Sequence, residues 1–191
     1  MPHLDPFSVV GYTWEILGAV WLAGMAFTKR TVRAQSNKSR LFQMALALLG
    51  FFLLGSRWFS AGWLGMRFLP PVPNLELGGV ALTLIGCAFA IWARLTLGTN
   101  WSGRATVKAG HELIVRGPYA VARHPIYTGL LLAAVGTAMA AAEWRCLLGL
   151  ALLVIVFAAK IGAEERLMLQ TFPDAYPLYR QRVKALIPGL L

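Results

Sequence analysis

Five stretches of nearly unbroken apolar residues divide the chain, at 9–27, 41–59, 77–97, 126–142 and 146–163. A helix needs roughly 20 residues to cross the hydrocarbon core of a bilayer, with about 17–25 tolerated. Each stretch falls in or near that range, so the pattern predicts five membrane-spanning helices. Only Glu143, Trp144 and Arg145 separate the last two, which predicts a tight helical hairpin. The second connection, 60–76, contains RFLPPVPN. Its prolines argue against a helix and for an ordered surface segment. After residue 163 the pattern changes: Leu167, Phe172, Tyr176, Tyr179 and Val183 recur at helical spacing with charges between them. That spacing predicts broken amphipathic helices lying at a membrane interface. No internal repeat or low-complexity tract interrupts the series, so residues 1–191 read as a single membrane-embedded domain.

Composition supports this reading. Apolar residues make up 58% of the chain and charged residues 14%, against about 45–50% and 25% in soluble domains. A water-soluble core could not hide that much apolar surface. The net charge of +10 would suggest nucleic acid in a soluble protein. Here the basic residues gather in short connections between apolar runs, which fits anionic headgroups and excludes nucleic acid as the expected partner.

The same residues predict orientation. Lys29, Arg30, Arg33, Lys38 and Arg40 follow the first run, and Arg104, Lys108, Arg116 and Arg123 follow the third. Arg166, Arg180, Arg182 and Lys184 follow the fifth, while the other side offers Arg57, Arg67 and Arg145. The positive-inside rule then places the N-terminus outside and the C-terminus in the cytoplasm. The expected fold is an all-α integral membrane protein of about five transmembrane helices, with cytoplasmic amphipathic C-terminal helices. In a prokaryote it would lie in the inner or plasma membrane. The N-terminal MPHLDPFS lacks the basic start of a cleavable signal peptide. Cys87 and Cys146 stand alone in or beside apolar runs, so neither a disulfide framework nor a metal site is expected.

Polar chemistry concentrates on the predicted cytoplasmic side. The stretch GPYAVARHPIYTG, beginning at Gly117, contributes Tyr119, Arg123, His124 and Tyr127, with His111 just before it. Lys160, Glu164 and Glu165 follow near the end of the fifth run, and the four-residue step from Lys160 to Glu164 puts both on one helical face. Ionisable residues at membrane depth face a cavity or a partner. Blander roles exist for each of them. A Lys–Glu pair four apart is a common helix pair, Arg123 and His124 could anchor a helix end, and the tyrosines could belong to an interfacial belt. Pro125 suits the first turn of a helix, and Arg94 is expected to snorkel to the interface. From spacing alone the chain is a small membrane protein with a cytoplasmic polar pocket.

The combined pattern is more specific. His111-Glu112-Leu113-Ile114, then Gly117-Pro118-Tyr119, then Arg123-His124-Pro125-Ile126-Tyr127-Thr128-Gly129 resembles the isoprenylcysteine carboxyl methyltransferase family. Glu164-Glu165 followed by Phe172, Tyr176, Tyr179, Val183 and Pro188 is similar to the C-terminal signature of that family. The resemblance covers roughly 97–188 and leaves the first two runs unmatched. It implies a membrane-embedded methyltransferase using S-adenosylmethionine, unrelated to the soluble Rossmann enzymes whose glycine loop is absent here. Carried over by residue, the implied cofactor site comprises His111, Glu112, Leu113, Ile114, Tyr119, His124, Pro125, Ile126, Tyr127 and Glu164. A further family contact falls near Arg104, where the residue type departs.

For the acceptor, the resemblance points to Lys160, where eukaryotic members carry arginine, and to Arg123. Lysine keeps the charge but not the planar two-point fit to a carboxylate. The expected acceptor is a lipophilic small molecule or lipidated group entering from the bilayer, with no obligate protein partner. A carboxylate acceptor would be ionised already and would need positioning and desolvation, so no catalytic base is assigned. Phospholipid or other amine N-methylation is the alternative, in which Glu164, Glu165 or His124 could act as bases. An NADPH-dependent sterol-type reductase and a non-catalytic membrane protein are the remaining alternatives.

Overall fold

The computed structural model describes residues 5–25, 31–34, 37–56, 62–100, 106–108 and 112–187, with side chains at 5–25, 41–56, 62–99 and 112–187. His3, Lys29, Arg30, Arg57, Arg104, His111 and Pro188 lie outside the described residues. Six helices dominate the described chain: α1 (Pro6–Met25), α2 (Asn37–Gly55), α3 (Pro73–Leu97), α4 (Pro125–Ala141), α5 (Trp144–Thr171) and α6 (Ala175–Arg182). Two short strands, β1 (Thr31–Ala34) and β2 (Thr106–Lys108), pair antiparallel and tie the first and third connections together.

α1, α3 and α5 are long and apolar enough to cross a membrane, and α2 and α4 carry shorter apolar segments. Large apolar side chains such as Leu22, Phe42, Leu48, Ile85, Leu95 and Ile155 point outward and are exposed. An apolar outer surface around backbone-satisfied helices suits lipid, not water.

The helices are packed by small residues. On α3, Gly79, Thr83, Gly86, Ala90 and Ala93 are buried, and on α4 Gly129, Ala133, Gly136, Thr137 and Ala140 meet them. The two helices run antiparallel, with Gly86 opposite Gly129 and Gly79 opposite Gly136. A β-carbon added at any of these four glycines would lie 2.6 Å from the carbonyl oxygen of its opposite glycine. Such closeness is how helices gain dispersion contact where lipid is as apolar as leucine. The Thr83 hydroxyl donates to the Gly79 carbonyl at 2.9 Å, the Thr137 hydroxyl donates to Ala133 at 2.9 Å, and the Trp14 indole donates to the Thr137 oxygen at 2.9 Å. These bonds add α1 to the pair without leaving a buried hydroxyl unsatisfied.

Two arginines finish helices. Arg94 was expected to snorkel, but it is buried at 4% exposure. Its guanidinium donates to the Gly24 carbonyl at 2.6 Å, at the end of α1, and to Gly98 at 3.0 Å. The last carbonyls of a helix lack intrahelical partners, and a cation there also meets the negative end of the dipole. At the other end of the bundle the fully buried Arg145 does the same for α2, donating to Leu53 at 2.8 Å and Leu54 at 3.0 Å, with Glu143 at 2.5 Å.

The expected α4–α5 hairpin is present, turning through Ala142 with a left-handed φ of 51°. The proline-rich connection is ordered where described, with the Phe68 amide donating to Ala142 and Arg67 paired to Glu76 at 2.8 Å. The tail differs from expectation at its start. α5 does not stop near residue 163 but continues to Thr171, because AEERLMLQ is composed largely of good helix formers. Phe172 ends it, held out of the helical region by Pro173.

The α3–α4 seam yields a stability prediction. Gly86→Val should destabilise the protein by at least about 2 kcal/mol, since its side chain meets backbone that cannot rotate away. Gly78→Ala, with nothing within 4 Å, should be neutral or stabilise by up to about 1 kcal/mol. Thermal unfolding in detergent measures both, and equal effects would contradict the close seam.

Candidate active site

Alternating helix directions bring the start of α4, the polar end of α5, α6 and the β1–β2 ribbon to one end of the bundle. Pro125 opens α4 at its first positions, as its fixed φ favours. The preceding residue, His124, is therefore the N-cap and turns its ring toward α5.

Glu164 and Glu165 are neighbours on α5 and so point about 100° apart. The imidazole sits between them, with Nδ1 3.5 Å from Glu164 Oε2 and Nε2 3.2 Å from Glu165 Oε1. Tyr127, one turn into α4, donates its hydroxyl to Glu164 Oε1 at 2.6 Å. Its ring stacks on Phe157 with centroids 4.9 Å apart and lies 5.9 Å from the His124 ring. Lys160 lies one turn before Glu164 on α5 and acts on it electrostatically.

Arg123 donates to Glu165 Oε1 from Nε at 2.8 Å and Nη2 at 2.7 Å, and to the Val183 carbonyl and the Arg180 carbonyl at 3.2 Å. Arg180 approaches Glu165 Oε2 at 3.3 Å. The segment after α6 returns across the start of α4. The amides of Arg123 and His124 donate to the carbonyls of Lys184 at 2.8 Å and Ala185 at 2.9 Å. The Thr128 hydroxyl donates to Leu186 at 2.8 Å. Tyr179 donates its hydroxyl to the Tyr119 carbonyl at 2.6 Å, closing the Gly117–Ala120 turn against α6.

The sequence-predicted residues divide in space. Tyr119, Arg123, His124, Tyr127, Lys160 and Glu164 gather around this cluster. Pro125 and Ile126 are buried, with Ile126 part of the apolar core. Ile114 packs against that core, while Glu112 is exposed. Leu113 lines an open, largely apolar groove of about 510 Å³ with Val115, Ala120, Leu178, Tyr179 and Val183. Phe157 was not singled out from sequence, and Arg180, Val183 and Lys184 were marked only as basic or signature positions, not as parts of this centre. Phe157 could have been, since 157, 160 and 164 share one helical face.

Both ring nitrogens of His124 face carboxylates, which only the doubly protonated imidazolium satisfies. Burial pulls its pKa down, but hydrogen bonds and charge from Glu164 and Glu165 outweigh this and leave it above the ordinary value. Burial also raises the phenols of Tyr119 and Tyr176, and pushes Tyr179 up to about 12, so all three remain neutral donors.

A raised histidine pKa stabilises the fold fully below the unfolded value, about 6.5. That contribution is lost as pH rises through the folded value. Relative to His124→Gln, wild-type protein should therefore lose thermal stability as pH rises above the ordinary histidine value and through the raised one. A difference that stays flat or grows with pH would show that His124 is not held as an imidazolium.

These features define a helical protein of the membrane with a buried carboxylate–imidazole centre at one end of its bundle. The family model for the isoprenylcysteine carboxyl methyltransferase (ICMT) family matches residues 79–170, which include α4 and nearly all of α5. Protein-S-isoprenylcysteine O-methyltransferase of Schizosaccharomyces pombe is 35% identical over 161 residues, covering 80% of this chain and 68% of that protein. Cobalt-zinc-cadmium resistance protein CzcN of Cupriavidus metallidurans is 30% identical over 141 residues, covering 73% of this chain and 60% of that one. A solved structure of a eukaryotic intramembrane Ras methyltransferase, ICMT, superposes with a TM-score of 0.58 at 23% identity, over 82% of this chain and 54% of the other. The chain spans 57–60% of the length of several of its curated relatives. It belongs to the isoprenylcysteine carboxyl methyltransferase family and is an integral membrane protein.

Proposed function

We propose that this chain is a single-domain membrane methyltransferase that takes S-adenosylmethionine as methyl donor and methylates a lipophilic carboxylate of the isoprenylcysteine type. The observation that carries the reading is the state of Glu164. Its carboxylate is gripped by Tyr127 and faces His124, yet its side chain keeps 23% exposure. A fixed anion with one open side suits a cationic ligand, and the Tyr127 face suits a sulfonium or an adenine. The donor set therefore fits the cofactor. Glu164, His124, Tyr127 and Tyr119 would form one wall of its site, with Pro125 and Ile126 fixing the start of α4. Glu112, Leu113 and Ile114 are assigned to it from the family resemblance, as is His111, which lies outside the described residues.

When bound, S-adenosylmethionine supplies an electrophilic methyl group. The chain has to hold the acceptor in line with it and exclude water. A carboxylate is already a nucleophile at neutral pH, so proximity and desolvation carry the rate and no side chain has to remove a proton. Lys160, one turn from Glu164, is the cation assigned to the acceptor. Arg123 sits behind His124 with its donors engaged, and its contribution to acceptor binding would come through that scaffold. Supporting this assignment are the family membership, the names of the relatives and the gathering of these residues at one end. In the membrane, the basic connections put this end in the cytoplasm with the N-terminus outside, and the lipophilic acceptor reaches it from the bilayer.

Isothermal titration of the detergent-purified protein should show micromolar S-adenosylmethionine binding and none for NADPH. Glu164→Gln should weaken that binding by roughly tenfold or more while the protein stays folded, the loss expected for a charged hydrogen bond. Unchanged affinity would remove Glu164 from the site. Incubation with labelled cofactor and either a prenylcysteine analogue or an amine lipid, followed by mass spectrometry, should show label on the carboxylate. Label on the amine alone would instead make the chain an N-methyltransferase.

A further inference from the structure

Glu164 and Glu165 are adjacent acids of one type, yet their surroundings differ in a way that assigns them different work. Glu164 is the open carboxylate, at 23% side-chain exposure, and Glu165 is the closed one, at 11%. Glu165 Oε1 receives two bonds from Arg123 and faces the Nε2 of His124, and Oε2 faces Arg180. With two arginines against it, Glu165 has no uncompensated charge to offer a cationic ligand. What it reaches on the ligand side is the histidine. Arg123, in turn, is bound to the carbonyls of Arg180 and Val183, and the backbone amide of His124 is bound to Ala185. Glu165, α6 and the 183–186 segment thus grip the side of His124 that faces away from Glu164.

We infer that Glu165 is a positioning residue: anchored by Arg123 and Arg180, it holds the His124 imidazole by Nε2 so that Nδ1 is directed at Glu164. This goes beyond the assignment of Glu164 and His124 to a cofactor site, and its functional consequence rests on that assignment. At metal sites, outer-shell carboxylates that fix a ligand histidine commonly change affinity or activity 10–100-fold when removed, and Glu165 stands in the same geometric relation to His124 with the cofactor in place of a metal. Glu164 and Glu165 from α5 act on the ring directly, and the titratable and charged groups around them are Lys160 from α5, Tyr127 from α4, Arg123 beside it, Arg180 and Tyr176 from α6, and Tyr119 from the preceding turn. Among them only the two glutamates touch its nitrogens.

The test is the titration of His124 in full-length protein labelled with nitrogen-15 histidine. His124→Gln identifies its signal against those of His3 and His111. Glu165→Gln should bring the His124 midpoint down toward the ordinary histidine value. It should also weaken S-adenosylmethionine binding by about tenfold, and cost nothing further in the His124→Gln background. Glu165→Asp keeps the negative charge between the two arginines and serves if the neutral variant loses its fold. Its shorter arm withdraws from Nε2 and should give the same downward movement. An unmoved midpoint in a folded Glu165 variant overturns the inference, as does an equal loss of affinity with and without His124. If the wild-type protein binds no S-adenosylmethionine, the cofactor reading falls, and the titration still decides whether Glu165 holds the ring.

Discussion

The close backbone approach of α3 and α4 is the constraint from which the rest of the structure follows. Opposed glycines at 79 and 136, and at 86 and 129, leave no room for a β-carbon on either helix. A pair packed this tightly cannot slide or rotate by even a fraction of a turn, because any other register would drive a side chain into backbone. α4 therefore has one position along α3, and His124 and Tyr127 have one height at its start. α5 is bound to α4 by a two-residue turn, and α2 closes on α5 through a second glycine contact, where a β-carbon on Gly149 would meet the Gly50 carbonyl at 2.7 Å. The height of Glu164 and Glu165 relative to His124 is thus set by packing some distance from them.

That rigidity explains how so many charges can be gathered in one buried place. Removing an ion from water costs several kcal/mol, recovered only with good geometry and further hydrogen bonds. Here each carboxylate meets groups fixed by a different element: α4 brings Tyr127, the turn before it brings Arg123 and His124, and α6 brings Arg180. The Val183–Leu186 carbonyls take up the donors that Glu165 leaves over. A loop-borne cluster would have to order itself against the same desolvation cost. Built on helix ends, the cluster is ordered by the apolar packing below it.

Much of this was legible in the sequence. The apolar runs located five long helices within a few residues except at the end of α5, which runs on to Thr171; the proline at 125 located the start of α4, and the polar stretch from Gly117 marked the end where the charges gather. What the runs could not convey is depth within the bundle. Arg94 and Arg145 look, in one dimension, like interface anchors flanking apolar segments. In three dimensions each is buried against the carbonyls of a helix distant in sequence, 70 and about 90 residues away. The seam was written in the chain as glycines seven apart on both helices, but spacing identifies a face without naming the helix it meets. Likewise the tail pattern marked Tyr176 and Tyr179 as an apolar face, and only the fold shows that face closing over the turn that carries Tyr119.

The adjacency of Glu164 and Glu165 illustrates why that limit matters for chemistry. Two acids in sequence would ordinarily be read as interchangeable, and a helix alone says only that they point apart. What separates them is first the pairing of Tyr127 with Glu164 and of Arg123 with Glu165, and then the path of the chain after Thr171. By turning at Phe172 and Pro173, it brings α6 and its following segment back over one acid and leaves the other open. One carboxylate is thereby enclosed with arginines, and the histidine between them is approached from both sides. A chain ending at α5 would keep Tyr127 on Glu164 and Arg123 on Glu165, but it would lose Arg180 from Glu165 and the Lys184 and Ala185 carbonyls from the amides of Arg123 and His124. The short tail therefore deepens a difference that Tyr127 and Arg123 begin: it closes Glu165 with a second arginine and leaves Glu164 the more open of the two.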